Sequence, residues 1–238
     1  MGLVVKDKIL VALDVESKEA ALSLADRLRG AVGGFKIGSR LFTAEGPPMV
    51  RTLTGRGDRV FLDLKFHDIP NTVASAVAAA TGLGVWMVNV HAGGGTTVMR
   101  AAADAARETA ARLGTTPPLV IAVTVLTSMS QQTLREVGVV IDLRDQVLRL
   151  AELTREAGLD GVVASPQETA AIRQRCGRDF TIVTPGIRGG TAAATKDDQE
   201  RTMTPSQAID AGASYLVVGR PIIAAPDPLS AARAIAGA

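Results

Sequence analysis

Short apolar runs rich in Val, Ile and Leu recur along this chain, separated by longer alanine-rich segments whose apolar positions follow a helical period. The runs cover 9–13, 34–37, 60–64, 85–90, 119–125, 161–164, 181–184 and 215–218, and each is short enough to be a buried strand. The segments between them predict helices over 18–28, 48–54, 73–81, 97–113, 145–157, 166–175, 205–211 and 228–236. Eight strands alternating with eight helices is the pattern of a closed parallel (β/α)8 TIM barrel. A doubly wound open sheet is the alternative, although it more often uses five or six strands. No linker or composition shift divides the chain, so residues 1–238 are expected to form a single catalytic domain.

The polar residues fall at one end of the predicted strands. Asp14, Lys36, Asp63 with Lys65, His91, Thr124 with Thr127, Ser165, Pro185, and Gly219 with Arg220 all lie at or just past a strand's C-terminal end. That end of a barrel carries the active site, so the pattern predicts a catalytic mouth.

The stretch from Asp63 to Thr72 is the densest in chemistry, with Asp63 and Asp68 flanking Lys65 directly after the run 60–62. Strand alternation puts Asp63 and Lys65 on one face, and Asp68 follows where the chain turns toward Pro70. Lys36, inside the run 34–37, is either a strand-end lysine reaching water or a second cation beside Asp63 and Lys65. In the second case the order lysine, aspartate, lysine, aspartate gives every charge an opposite neighbour, so all can stay ionised in a partly dry pocket. Asp14 either caps the helix beginning near Ser17 or accepts hydrogen bonds from a sugar hydroxyl. Gly219 allows close backbone approach and Arg220 offers a charged fork, which suits a phosphate after the last strand. Residues 185–202 form a long glycine-containing loop that predicts a mobile lid over that phosphate, with Arg188 and Gln199 able to reach it. His67 is expected to point away from Lys65 and Asp68 in a structural role. His91 opens a glycine-rich turn, and two histidines do not make a metal site.

Composition narrows the partners. The formal charge is +2 and no basic block stands out, which argues against nucleic acid. One cysteine, Cys176, rules out an internal disulfide and is expected to be a small buried side chain. The N-terminal segment lacks the pattern of a signal peptide, and no apolar stretch reaches the roughly 20 residues that span a bilayer, so a cytoplasmic protein without a membrane partner is expected.

Together these motifs resemble the orotidine 5′-phosphate decarboxylase family over essentially the whole chain. The resemblance rests on Leu13-Asp14, Lys36-Ile37-Gly38, the run from Asp63 to Thr72, Val125 to Met129, Thr184-Pro185-Gly186-Ile187-Arg188, Asp198-Gln199 and Val218-Gly219-Arg220-Pro221. The Asp-x-Lys-x-x-Asp core is shared with magnesium-dependent sugar-phosphate decarboxylases and lyases of the same superfamily, while Ile69-Pro70-Asn71-Thr72 and the Pro-Gly-Ile-Arg lid separate the two. The resemblance implies decarboxylation of a nucleotide to UMP with no cofactor and no metal. It implies Lys65 as proton donor to C6 of the pyrimidine, Asp63 beside the leaving carboxylate, and Lys36 and Asp14 at the ribose. Asp68 and Thr72 would serve the neighbouring subunit's site, making a homodimer with shared active sites, and Ile69 would be a further substrate-binding residue. Thr127 or Ser128 would contact the pyrimidine, Gln199, Gly219 and Arg220 the phosphate, and Pro185 and Arg188 would belong to the lid. Gly189-Gly190-Thr191 and the alanines after them depart from the family's pattern there. A phosphate-ligand sensor is the non-enzymatic alternative, against which the lysine–aspartate array speaks, since a sensor needs no proton donor.

Overall fold

Each apolar run becomes a strand because its alternate side chains are buried on two sides, inside the barrel and beneath the helices. The computed structural model describes residues 5–187 and 203–237. Among them, β1 (Ile9–Ala12), β2 (Gly34–Gly38), β3 (Val60–Phe66), β4 (Met87–His91), β5 (Leu119–Val123), β6 (Gly161–Val163), β7 (Thr181–Thr184) and β8 (Tyr215–Val218) pair in parallel and close as a barrel. Closure, through the pairing of β1 with β8, excludes the open-sheet alternative.

The helices are α1 (Lys18–Leu28), α2 (Ser39–Thr54), α3 (Pro70–Gly82), α4 (Gly95–Leu113), α5 (Gln131–Glu136), α6 (Leu143–Glu156), α7 (Thr169–Cys176), α8 (Pro205–Asp210), α9 (Arg220–Ile223) and α10 (Pro228–Ala236). Their starts are marked by local chemistry. Ser17 Oγ accepts the Ala20 N–H at α1, and Thr204 with Gln207 forms a reciprocal capping box at α8. α2 starts nine residues earlier than 48–54 implied. It breaks at Gly46, whose φ of 64° only glycine takes easily, and Pro47 and Pro48 begin its second part. α5 and α9 are additions too short to show a period in sequence. No helix among the described residues is long and apolar enough to cross a membrane.

Alternation along the strands separates two cores. Ile9, Val11, Phe35, Ile37, Val60 and Leu62 face outward and pack under the helices with Leu24, Leu28, Leu53 and Val77. Leu10, Phe61, Ile121 and Val183, from the four odd strands, meet inside the barrel as one dry layer. Below them Trp86 and Tyr215 contact edge to face at 5.0 Å, with the Arg59 guanidinium 5.5 Å from the Trp86 ring, closing the floor. The next inward positions of the even strands are Lys36, Asn89, Val163 and Val217, so the interior changes character within one layer.

β3 departs from regular pairing. From Leu62 to Phe66 it advances four residues while β4 advances two, from Val88 to Val90. Simple alternation therefore does not explain how Asp63 and Lys65 meet. The bulge does, with Lys65 at φ 52°, the one non-glycine residue at positive φ among those described.

Candidate active site

The mouth holds a continuous chain of alternating charges. Lys36 Nζ, on β2, lies 3.2 Å from Asp14 Oδ1 and 3.6 Å from Asp63 Oδ2. Asp63 Oδ1 accepts Lys65 Nζ at 2.7 Å and the Asn89 side-chain N–H at 2.7 Å. These contacts decide the alternative for Lys36 and remove the capping role for Asp14. Lys36 is buried rather than stretched to water. Asp14 binds Lys36, while Ser17 caps α1. Desolvating each ion costs several kcal/mol, and only a partner on each side offsets that.

Asp63 shows the balance. Burial pushes its carboxyl upward, yet the Lys36 and Lys65 ammonium groups and the hydrogen bonds from Lys65 and Asn89 outweigh burial and hold it below the usual carboxylate range. Asp63 is thus a fixed anion, and Lys65 is the end of the chain that faces open space, with its side chain 37% exposed. The left-handed backbone at Lys65 costs roughly 1–3 kcal/mol, the kind of strain found where a side chain must be aimed. Gly38 gives the array room: a Cβ there would sit 2.7 Å from Lys36 Nζ.

Asp14, Lys36, Asp63 and Lys65 line a cavity of about 340 Å³, large enough for a small ligand. Thr127 and Ser128 line it after β5, Pro185 after β7, and Gly219 and Arg220 after β8. Val123, Val163, Ala164 and Val217 give it an apolar wall opposite in character to the charged side.

Three expected site residues stand apart from this cavity. Asp68, Ile69 and Thr72 are exposed, and Asp68 Oδ1 accepts the Ile69 N–H at 2.6 Å. Within one chain the alternating array is therefore completed by Asp14, where the sequence pattern had placed Asp68. Arg188 and Gln199 lie outside the described residues, as does most of the lid expected over 185–202. His67 stacks on His91 with ring centroids 5.1 Å apart, consistent with a structural role. Burial first, and then the electrostatic influence of His67 and Lys65, hold His91 below its ordinary value. Cys176 is buried as expected.

Asn89 was missed. It is fully buried inside the run 85–90, which reads as uninterrupted core apart from this single amide. That one polar residue in an apolar strand is the signal that would have found it.

A parallel (β/α)8 barrel whose mouth pairs one buried and one half-buried lysine with aspartates is a barrel enzyme, built to act on charge and protons. The chain belongs to the Orotidine 5′-phosphate decarboxylase / HUMPS family, whose model matches residues 7–235. It is 59% identical over 232 residues to an orotidine 5′-phosphate decarboxylase of Moorella thermoacetica, covering 97% of this chain and 91% of that protein. A relative of the same name from Syntrophotalea carbinolica is 56% identical, with 97% and 93% covered. The crystal structure of orotidine 5′-phosphate decarboxylase from Lactobacillus acidophilus superposes with a TM-score of 0.84 at 38% identity, covering 95% of this chain and 96% of that one.

Proposed function

We infer that this chain converts orotidine 5′-phosphate to UMP and CO2, the last step in making UMP. The observation that carries the reading is the Asp14–Lys36–Asp63–Lys65 array inside the barrel mouth, with Lys65 at its open end. The bond between C6 and its carboxylate breaks, CO2 leaves, and the electron pair stays on C6. No adjacent carbonyl can take up that pair, so the charge is localised and exists mainly near the transition state. The Lys65 ammonium stabilises it and then donates a proton to C6, and solvent reprotonates the amine. Asp63, held ionised, fixes the Lys65 ammonium in place and would stand beside the leaving carboxylate. Lys36 and Asp14 suit the ribose hydroxyls, Thr127 and Ser128 the pyrimidine edge, and Gly219 and Arg220 the phosphate. Phosphate binding far from C6 supplies binding energy that orders the array for the chemical step.

The magnesium-dependent sugar-phosphate reading is the weaker one, since the named relatives are orotidine 5′-phosphate decarboxylases. The deciding experiment is an ultraviolet assay of orotidine 5′-phosphate turnover with and without EDTA. Turnover is expected to survive the chelator, and Lys65→Ala is expected to lower it by roughly 10⁴-fold or more in a folded protein. Near-normal turnover in that variant, or activity lost to EDTA and restored by magnesium, would overturn the reading.

The working form is a cytoplasmic homodimer whose sites are shared. Exposed Asp68, Ile69 and Thr72, standing outside their own chain's cavity, support this, because they are free to reach a second copy's mouth. Mixing inactive Lys65→Ala and Asp68→Ala proteins should restore part of the activity in heterodimers. No recovery after verified subunit exchange would count against sharing.

A further inference from the structure

We propose that Asn89 is a positioning residue for the decarboxylation, a neutral clamp that holds both the Lys65 backbone and the Asp63 carboxylate in reacting geometry. The proposal rests on the roles of Asp63 and Lys65 given above. The two ends of one buried amide serve the two halves of the pair. Asn89 Oδ1 accepts the Lys65 N–H at 2.8 Å, and its side-chain N–H donates to Asp63 Oδ1 at 2.7 Å. That oxygen is the same one that takes the Lys65 ammonium.

The position explains the bulge. Asn89 sits on β4 between Val88 and Val90, the residues paired with Leu62 and Phe66, so it faces the stretch of β3 that has lost its regular ladder. The Lys65 N–H, turned by its φ of 52°, would otherwise lack a partner in a dry region, at a cost of about 1–3 kcal/mol. Asparagine suits the task because it supplies one acceptor and one donor without charge. Aspartate there would set a second anion against Asp63, and a lysine would pull Asp63 away from Lys65. The charged and titratable groups around Asn89 are Lys36 on β2, Asp63 and Lys65 on β3, and His91 two residues along β4. β5 pairs with it at Ile121 and brings no charge.

The test is steady-state kinetics against pH on Asn89→Ala and Asn89→Asp, with thermal unfolding to confirm folding. Asn89→Ala is expected to lower kcat about 10–100-fold with KM changed little, since substrate contacts stay in place. Asn89→Asp should keep the acceptor for Lys65 but present an anion to Asp63, so its kcat should rise on acidification as that added carboxyl protonates and becomes a donor. The parent enzyme should show no such rise. A kcat within about twofold of the parent in folded Asn89→Ala, or a loss confined to KM, would overturn the proposal. If Asn89→Ala does not fold, the profile of Asn89→Asp decides: a shape parallel to the parent's overturns it. Lys65→Ala separates the levels. If that variant keeps its rate the whole site reading fails, whereas an inactive Lys65→Ala beside a normal Asn89→Ala sinks this inference alone.

Discussion

Two adjacent layers of the barrel interior use the same backbone for opposite ends. In the lower layer Leu10, Phe61, Ile121 and Val183 are all buried and apolar, each contributing about 1.5–3 kcal/mol by leaving water. One layer higher, Lys36 and Asn89 occupy equivalent inward positions beside Val163 and Val217, and Asp63 lies just above. There, burial opposes folding and partners only offset it. The lower layer stabilises a mouth that would not stabilise itself, which is why strained and charged groups are confined to one end.

Substitutions can break that division. On a common free-energy scale, Asp63→Asn should have the largest effect, lowering kcat/KM roughly 10³-fold or more while the protein still folds. Its pH signature has a definite sign. Because the Asp63 carboxyl is held below its unfolded value, its contribution to stability is present above about pH 4 and is lost as pH falls through the folded value. The stability gap between parent and variant should therefore narrow on acidification, as read by denaturant melts from pH 6 to pH 2.5 (about the range the shift concerns). A constant gap would mean that Asp63 is not the anion drawn here. Leu10→Ala should come next, costing about 3 kcal/mol, or roughly 6–12 °C in Tm, with turnover per folded molecule within about threefold of the parent. If it cost as much turnover as Asp63→Asn, the two layers would not be separable. Smallest is Gly38→Ala. Its φ of −97° poses no backbone problem, so stability should change by less than about 1 kcal/mol. The new methyl would make the Lys36 ammonium shift slightly at the end of its flexible side chain, lengthening its contacts with Asp14 and Asp63 without breaking them, for an expected loss near tenfold in kcat/KM, equal to about 1.4 kcal/mol. Unchanged kinetics in a folded Gly38→Ala protein would show that the Lys36 position is not critical.

Strands were the most legible part of this chain, because runs such as 215–218 and 181–184 are short, apolar and bounded by polar turns. Lys36 and Asp63 were legible for a related reason: a charge inside an apolar run must be satisfied, and few arrangements satisfy it. What stayed hidden was set by pairing between strands. The bulge at Lys65 depends on how β3 meets β4, and nothing in the local pattern of Asp63-Leu64-Lys65 departs from alternation. Asn89 was hidden behind its neighbours, since Val88 and Val90 made the run look like uniform core. The first part of α2 was obscured by Gly46-Pro47-Pro48, which read as a beginning but mark a break within a helix. Asp68 is a different case. Its carboxylate was counted into the array by proximity in sequence, but the chain leaves β3 after Phe66 and Asp68 stands exposed, outside its own cavity.

The stacked floor of Arg59, Trp86 and Tyr215 has a consequence for traffic. With the apolar layer above it, it plugs the far end of the barrel among the described residues, leaving the mouth as the open side. On the proposed reading, substrate, CO2 and product would all pass one doorway, the CO2 leaving beside the nucleotide. On the same reading, the proton that recharges Lys65 would enter by that doorway, so recharging the lysine would wait on emptying the cavity.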